Sequence, residues 1–231
     1  MTQAVATDVL QALRERIVRA ARERTPLRIR GGGSKDFLGE RFDGEILDTR
    51  PLSGILSYEP TELFVTALAG TPLAEVEAAL AERGQMLAFE PPSFGGAATI
   101  GGVVAAGLSG PRRASVGAVR DFVLGLGVMD AQGRELQFGG QVMKNVAGYD
   151  VSRLMCGAMG ILGLITQVSL KVLPRPAAEA TVMFECDARE ALHLLNTWGG
   201  QPLPISASVH GSGVLVVRFS GASAAVDAAL T

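Results

Sequence analysis

Five consecutive residues near the amino terminus have the composition of a loop that binds phosphate through its main chain: Gly31, Gly32, Gly33, Ser34 and Lys35. Successive glycines let main-chain N–H groups turn toward one concavity, where no Cβ atom excludes a phosphate. The hydroxyl at position 34 adds a hydrogen-bond donor and the ammonium at position 35 adds positive charge. The pattern predicts an anion-binding loop, but a flexible surface turn has a similar composition.

A second run of small residues, 99–110, has very little side-chain bulk. Such a run lets a flat or extended ligand approach the main chain closely, and a helix packed through small residues would have the same composition. The candidate ligand contacts here are Thr99, Ile100, Gly101, Gly102, Ser109 and Gly110. A third glycine group, at positions 157, 160 and 163, directly precedes a predicted strand, where a turn could close over a ligand.

Residues 144–150 are dense in hydrogen-bond donors and acceptors and are flanked by apolar sequence. We interpret Lys144, Asn145, Tyr149 and Asp150 as weak candidates for a catalytic or tuning role. A loop that only solvates a turn would also be rich in Asn, Gly and Asp. The two histidines, His193 and His210, lack the spacing of metal ligands and are interpreted as structural residues, so no metal site is predicted.

Composition excludes several classes of partner. The formal net charge of -2 arises from interspersed acidic and basic residues, which gives no electrostatic footprint for nucleic acid. Two cysteines without metal-ligand spacing favour a reducing compartment, and the amino terminus lacks the order of a signal peptide. The apolar stretches at 91–111 and 154–170 are interrupted by glycine and proline or alternate like a strand, so we predict a cytoplasmic protein without a membrane span.

Hydrophobic periodicity predicts a mixed succession of helices and strands. An amphipathic helix is expected over residues 8–24, capped by Thr7 or Asp8, and strands over 27–30 and 64–69. Thr71 is the expected cap of a helix with Pro72 at its first position, which closes at Gly84. Alternating residues then predict a hairpin over 122–138 and a half-buried strand over 163–173 that stops at Pro174.

The segment 174–176 has the composition of a domain boundary, so we divide the chain into residues 1–175 and 176–231. After the boundary the pattern reads β-α-β-β-α, with strands at 181–185, 205–209 and 214–219 and helices at 188–198 and from Ala222. A ferredoxin-like unit needs one more strand, so this segment is expected to be an incomplete domain.

Together these motifs resemble the FAD-binding domain of the vanillyl-alcohol oxidase and p-cresol methylhydroxylase (PCMH) flavoprotein family over about residues 26–175. More closely, the motifs at 36–39, 58–63, 109–113, 119–125 and 142–150 resemble the FAD-binding E subunits of bacterial glycolate oxidases, and those at 171–176 and 201–206 extend that likeness. The resemblance implies an α+β fold: a PCMH-type FAD-binding domain of two α/β subdomains, followed by the incomplete ferredoxin-like cap segment.

The resemblance also implies roles for individual residues. Residues 31–35 would wrap the FAD pyrophosphate, and 99–102 and 109–110 would continue along the cofactor with Gly117. Ser93 would lie near the flavin and Ile165 at the adenine end. Relatives with covalent flavin often have histidine directly after the glycines; this chain has Ser34, so non-covalent FAD is expected.

The implied function is that of an FAD-binding subunit in a complex that oxidises a small 2-hydroxy acid, glycolate or lactate. The resemblance implies a catalytic flavin subunit and an iron–sulfur subunit as partners, and leaves open peripheral attachment to the inner membrane through the complex. Two alternatives stay open: a self-sufficient FAD-dependent 2-hydroxy-acid dehydrogenase, and a non-catalytic assembly subunit with structural FAD.

Overall fold

The computed structural model of the protein describes residues 3–40, 43–140 and 150–231. The helices in chain order are α1 (Gln3–Glu23), α2 (Leu73–Ala81), α3 (Ile100–Ala106), α4 (Arg113–Val116), α5 (Val151–Met155), α6 (Ala188–Gly199) and α7 (Ser223–Ala229). The strands are β1 (Leu27–Arg30), β2 (Glu45–Asp48), β3 (Ile55–Glu59), β4 (Phe64–Leu68), β5 (Gln85–Met86), β6 (Val123–Met129), β7 (Glu135–Gly139), β8 (Leu164–Lys171), β9 (Leu173–Pro174), β10 (Ala178–Glu185), β11 (Ile205–Gly211) and β12 (Val214–Gly221).

The amino-terminal layer consists of α1 and the parallel pair of β1 with β2. Leu13 and Ile17 of the helix are buried in one cluster with Leu47 and Leu52. The expected helix is confirmed, but it begins at Gln3, so the proposed caps Thr7 and Asp8 lie inside it. The apolar face of the helix packs on this layer, and tertiary packing therefore extends the helix beyond its local cap signals.

An antiparallel five-stranded sheet in the order β3-β4-β8-β6-β7 forms the centre of the molecule. The predicted hairpin is confirmed as β6 and β7. Strand β8 is more buried than the alternation predicted, because its polar side is covered as well: the hydroxyls of Ser169 and Thr66 are buried and lie 2.9 Å apart. The chain also continues into β9, where Pro174 pairs with Gln85 rather than only ending a strand.

Helix α2 shows where a local cap signal was misleading. The N-cap residue is Pro72, not Thr71, and no side chain caps this end. The Thr71 hydroxyl instead donates to the carbonyl of Leu68 (2.6 Å) and accepts from the N–H of Gly54 (2.8 Å). The helix ends at Ala81 with Glu82 as its C-cap, earlier than the expected close at Gly84. Gly84, with a φ of +64°, closes the turn that follows by donating its N–H to the carbonyl of Ala81.

The carboxy-terminal unit, residues 178–229, has the predicted β-α-β-β-α order. Its strands form an antiparallel sheet in the order β10-β12-β11, covered by α6 and α7. Its apolar cluster, built on Leu215, Val217 and Phe219, shares no residue with the two clusters of the preceding part. The division of the chain near residue 175 stays a prediction. Within the described part of the chain, every helix is too short or too polar to cross a bilayer.

Candidate functional site

A groove opens where the end of β1, the start of α3 and the turn before β8 meet. Many of its walls are main chain, since glycine and alanine dominate the lining. The predicted contacts in the groove are Gly31, Gly32, Gly33, Ser34, Lys35, Thr99, Gly101, Gly102 and Ile165. The other lining residues are Ile29, Arg30, Asp36, Thr49, Ala69, Ala105, Ala106, Met159, Gly160, Gly163 and Leu164.

Residues 31–35, called here the first glycine loop, leave β1 at the point where the N–H of Thr49 donates to the carbonyl of Arg30 (3.0 Å). Gly33 has a φ of +72°, a left-handed conformation that favours glycine. The next turn closes with the N–H of Asp36 donating to the carbonyl of Gly33 (3.1 Å). In the described parts of the chain, the main-chain N–H groups of residues 31–35 meet no acceptor. Such a row of free donors is suited to an anion.

Lys35 provides the positive charge of the loop. It is half-buried, and this desolvation lowers the pKa of its ammonium group. Its nitrogen lies 3.3 Å from the Ser34 hydroxyl and 5.7 Å from the centre of the Phe94 ring, and it has no carboxylate partner among the residues described. A half-buried cation without a counter-charge is a plain physical reason for an anionic ligand to bind there.

The neighbouring arginines are already paired. Arg28 and Arg30 both contact the carboxylate of Asp36, at 3.1 and 2.7 Å. The hydrogen bond from Arg30 and the charges of both arginines lower the pKa of that carboxyl group. Arg30 also lines the groove, but its charge is compensated by Asp36, so Lys35 is the cation of the described lining that has no carboxylate partner.

Residues 99–102, called the second glycine segment, begin α3 and differ from the first loop in their donors. The N–H of Ile100 donates to the carbonyl of Thr71 (2.9 Å), and that of Gly101 to the carbonyl of Ala69 (2.8 Å). Thr99 caps the helix by accepting the N–H of Gly102 (3.3 Å). The segment therefore supplies bare surface to the groove, not free donors. The side chain of Ile100 is fully buried in the core and does not line the groove.

The two glycine segments touch, and this contact explains why they lack side chains. A Cβ atom on Gly31 would overlap the Thr99 hydroxyl, and one on Gly32 would overlap the carbonyl of Ala97. A Cβ atom on Gly101 would lie 2.6 Å from the Cβ of Ala69. The sequence predicted that Gly31 and Gly32 leave space for a phosphate and that Gly101 allows close approach of a flat or extended ligand. The structure shows that contact between protein segments demands them first.

A third wall is the turn over residues 157–163. It is attached to α3 by the N–H groups of Gly157 and Met159, which donate to the carbonyls of Val104 (3.1 Å) and Ala105 (2.9 Å). Gly160 and Gly163 have φ values of +81° and +146°, as the glycine spacing in the sequence indicated. Thr49, Ala69 and Met159 were missed by sequence reasoning. No local pattern marks them, because only tertiary packing brings them to the groove.

Several predicted contacts lie elsewhere or serve internal bonds. Ser93 is exposed, the Ser109 hydroxyl accepts the N–H of Val119 (2.9 Å), and Gly110 donates to the carbonyl of Phe89 (2.8 Å). Gly117, with a φ of +101°, lies beside Asp121. These four, with Ile100, do not line the groove. Their contact with a cofactor stays a prediction.

The polar segment 144–150 is described only at its end. Lys144, Asn145 and Tyr149 lie outside the described residues. Asp150 caps α5 by accepting the N–H of Arg153 (3.1 Å), and it also forms an exposed ion pair with that residue. The helix cap and the ion pair explain an aspartate at position 150 without a catalytic or tuning role.

The histidines are remote from the groove. His193 is exposed on α6, and a ring nitrogen of His210 lies 3.0 Å from the carbonyl oxygen of Cys186. The described residues contain no group of side chains that could hold a metal ion.

The FAD binding domain family matches residues 5–139, more than half of the chain. The chain belongs to this family. Glycolate oxidase subunit GlcE of Escherichia coli (strain K12) is 50% identical over 222 residues, which cover 96% of this chain and 63% of that relative. Glycolate oxidase subunit GlcD of Bacillus subtilis (strain 168) is 32% identical over 69% of this FAD-binding chain and 34% of its own length. Mitochondrial D-2-hydroxyglutarate dehydrogenase of Rattus norvegicus is 32% identical over 74% of the chain and 32% of the relative.

Solved structures give the same fold. A structure of alkyldihydroxyacetonephosphate synthase superimposes with a TM-score of 0.72 at 19% identity, covering 94% of this chain and 47% of that one. The FAD-binding chain thus spans less than two thirds of the curated relatives reported above. The predicted PCMH-type α+β fold is confirmed, and FAD is its cofactor.

The groove has the chemistry that FAD requires. The diphosphate of FAD needs hydrogen-bond donors and positive charge, and the first glycine loop has free N–H groups beside Lys35. The extended cofactor also needs close approach to the main chain, which the second glycine segment allows because its residues present no bulky side chain to the groove.

Proposed function

We propose that the chain holds FAD without a covalent bond, with the diphosphate on the first glycine loop. The observation that carries this proposal is the row of acceptor-free N–H groups beside the unpaired half-buried ammonium of Lys35. Histidine and cysteine, the usual covalent anchors, do not occur among the described residues that line the groove. The serine at position 34 is a weak nucleophile in this setting.

The remaining walls would orient the cofactor. Gly101, Gly102 and Ala105 present small surfaces of α3 to the groove, and the turn with Gly160 and Ile165 closes its other side. Bound FAD accepts reducing equivalents or passes electrons onward, and the protein determines its orientation and its access to water. Lys35 would keep its proton at Nζ beside the phosphates, since a nearby anion favours the charged form.

We propose further that the chain is the FAD-binding subunit of a complex that oxidises glycolate or another 2-hydroxy acid such as lactate. The relative with 50% identity is named a glycolate oxidase subunit, and so is a second relative at 32%. The partners in this proposal are a second flavin subunit, which would be the catalytic one, and an iron–sulfur subunit. We place the complex in the cytoplasm, with peripheral attachment to the inner membrane through its partners.

A self-sufficient 2-hydroxy-acid dehydrogenase is the second candidate, favoured by the similarity to D-2-hydroxyglutarate dehydrogenase. Such an enzyme needs a base and a carboxylate-binding group near the flavin. The described lining of the groove contains no histidine, and its arginine is paired with Asp36. The geometry therefore favours the subunit role over independent catalysis. A third candidate, an assembly subunit with structural FAD, differs in that its flavin would never be reduced.

One series of spectra separates these candidates. The purified chain is expected to show flavin absorbance, and acid precipitation should release all of it into the supernatant. Flavin retained in the pellet would contradict non-covalent binding. Glycolate alone should leave the flavin oxidised, whereas glycolate with the partner subunits should bleach more flavin than the partners themselves contain. Bleaching by glycolate alone would establish the self-sufficient enzyme, and bleaching limited to the partners' own flavin would establish structural FAD.

A further inference from the structure

The contact between the FAD-binding domain and the carboxy-terminal sheet is polar. The apolar clusters on the two sides share no residue, and α4 of the FAD-binding domain lies against β11 of the sheet. The described side-chain hydrogen bonds across this contact come from charged residues and serines. Apolar packing alone therefore does not explain how the sheet is oriented.

Arg112 is the centre of this contact. Its side chain is only 10% exposed, although it carries a full charge. It donates to the carboxylate of Glu90 (3.3 Å) in its own domain, and across the contact to the carboxylate of Glu179 (3.0 Å) and the hydroxyl of Ser220 (3.3 Å). A buried guanidinium is stable only when such partners replace its water.

Glu90 connects the same domain to the other strands. Its two carboxylate oxygens accept from Arg218 of β12 at 2.7 and 3.0 Å, and one also accepts the N–H of Arg112 (2.9 Å). Arg218 in turn donates to the Ser206 hydroxyl of β11 (2.9 Å). Together with Glu179 of β10, these residues engage all three strands of the sheet at one end of one face.

The position of Glu90 is set by its own backbone. Its φ is +49°, which is uncommon for a residue with a side chain and costs about 1 kcal/mol or more. The neighbouring turn packs directly on it: a Cβ atom on Gly110 would overlap the Glu90 carbonyl oxygen. The carboxylate therefore stands at a fixed place on the domain surface, where it can determine the location of a partner.

We infer that Glu90, Arg112, Glu179 and Arg218, called here the interface network, are positioning residues that fix the carboxy-terminal sheet on the FAD-binding domain. Paired buried charges add little net stability, because desolvation offsets their attraction. They depend on geometry, however, since another docked arrangement would lose the cross pairs Arg112–Glu179 and Arg218–Glu90 while still desolvating Arg112. Each side contributes one acid and one base, Glu90 with Arg112 and Glu179 with Arg218, and docking in this register adds the two cross pairs Arg112–Glu179 (3.0 Å) and Arg218–Glu90 (2.7 Å).

The test uses Arg218→Gln and Glu179→Gln, with Arg113→Gln as the matched control. Arg113 is the exposed neighbour of Arg112 and forms no ion pair with any described residue. Trp198, the only tryptophan, packs against Phe184 at 5.3 Å and reports whether the carboxy-terminal unit itself is folded. Hydrogen exchange, small-angle scattering and Trp198 emission are measured on the full chain.

In both network variants, amides of residues 112–117 should exchange about tenfold faster or more, and the radius of gyration should increase. The emission of Trp198 and the protection of β12 should match wild type, and the control should match wild type throughout. Unchanged exchange at 112–117 with an unchanged radius would overturn the proposal. Loss of β12 protection with a shifted Trp198 emission would also overturn it, because the arginine would then serve only the fold of its own unit.

The FAD content of the same samples keeps this inference separate from the proposed function. A flavin-free wild type would contradict FAD binding in the groove but would leave the docking measurements interpretable. A network variant that undocks while retaining FAD supports the inference by itself.

Discussion

The first glycine loop and the second glycine segment look equivalent in sequence, but the structure assigns them different tasks. Both are rich in glycine, both line the groove, and they touch each other. In the first, the N–H groups of residues 31–35 have no acceptor within the described chain. In the second, the N–H groups of residues 100–102 are all bonded to protein.

Glycine content alone therefore does not identify an anion site. What matters is whether the main-chain donors are already used, since only free donors gain a partner when a ligand binds. In the proposed function, the first loop is therefore the anchor for charge, and the second determines shape. Substitutions in the two segments should fail in different ways.

The largest effect is expected for Gly32→Val. Its side chain would overlap the carbonyl of Ala97, so the two segments must separate. Flavin content should fall below about a tenth of wild type, and the free energy of unfolding should fall by about 2 kcal/mol. Absorbance and chemical denaturation measure the two effects. Gly199→Ala, at a helix position with open space, serves as the control and should leave the flavin content unchanged without lowering the free energy of unfolding.

Gly31→Ala separates space for the ligand from contact between the segments. The added methyl group would overlap the Thr99 hydroxyl, so the single variant should bind FAD poorly. In Gly31→Ala with Thr99→Ala, the nearest remaining atom is the Cβ at 3.4 Å, an ordinary contact. Titration with FAD should show recovered affinity in the double variant. If affinity stays low, the methyl group occupies the ligand's own space.

Lys35→Met should weaken FAD binding by about tenfold, because one charge-assisted hydrogen bond to phosphate is worth about 1.5–3 kcal/mol. The salt dependence of the affinity should also decrease, while Lys35→Arg should retain most of both. Titration by flavin fluorescence at two ionic strengths measures this. Equal affinity of Lys35→Met and wild type would remove the lysine from the phosphate site.

Thr99→Ala should have a smaller effect, on stability rather than on the cofactor. Loss of the cap leaves the N–H of Gly102 without its acceptor and costs about 1 kcal/mol. Thr99→Ser keeps the hydroxyl and should restore the stability. Thermal unfolding of both variants measures these changes in stability. A large loss of FAD in Thr99→Ala would mean that the second segment also acts through a polar group.

The smallest effect is the pH dependence that arises from Lys35. Desolvation lowers its pKa in the folded, FAD-free protein, so the unfolded chain binds more protons between the lowered and the ordinary pKa. The contribution of Lys35 to the stability of the FAD-free protein should therefore rise with pH across that interval, and FAD affinity should fall as the ammonium loses its proton. The stability of wild type minus that of Lys35→Met isolates this contribution, because other alkaline groups such as Cys156 titrate in both proteins. Unfolding midpoints of the two FAD-free proteins, measured against pH, test it.

Local sequence signals predicted most of the fold correctly where residues act on near neighbours. The strand at 27–30, the hairpin of β6 and β7 and the β-α-β-β-α order follow from alternation and turns. The caps proposed at Thr7 and Thr71 were wrong for a reason that is not local. The Thr71 hydroxyl bonds Leu68 and Gly54, and the packing of α1 extends that helix to Gln3.

For the site, local sequence predicted the proposed anchor: a glycine loop after a strand, with a lysine and without a histidine. Those are properties of consecutive residues. Which donors stay free is visible only in the tertiary structure, because an N–H group has an acceptor only if the segment that packs beside it provides one. It also decided that Glu90 and Arg112 meet Glu179 and Arg218, since residues so distant in the chain become partners only when two separately folded units dock.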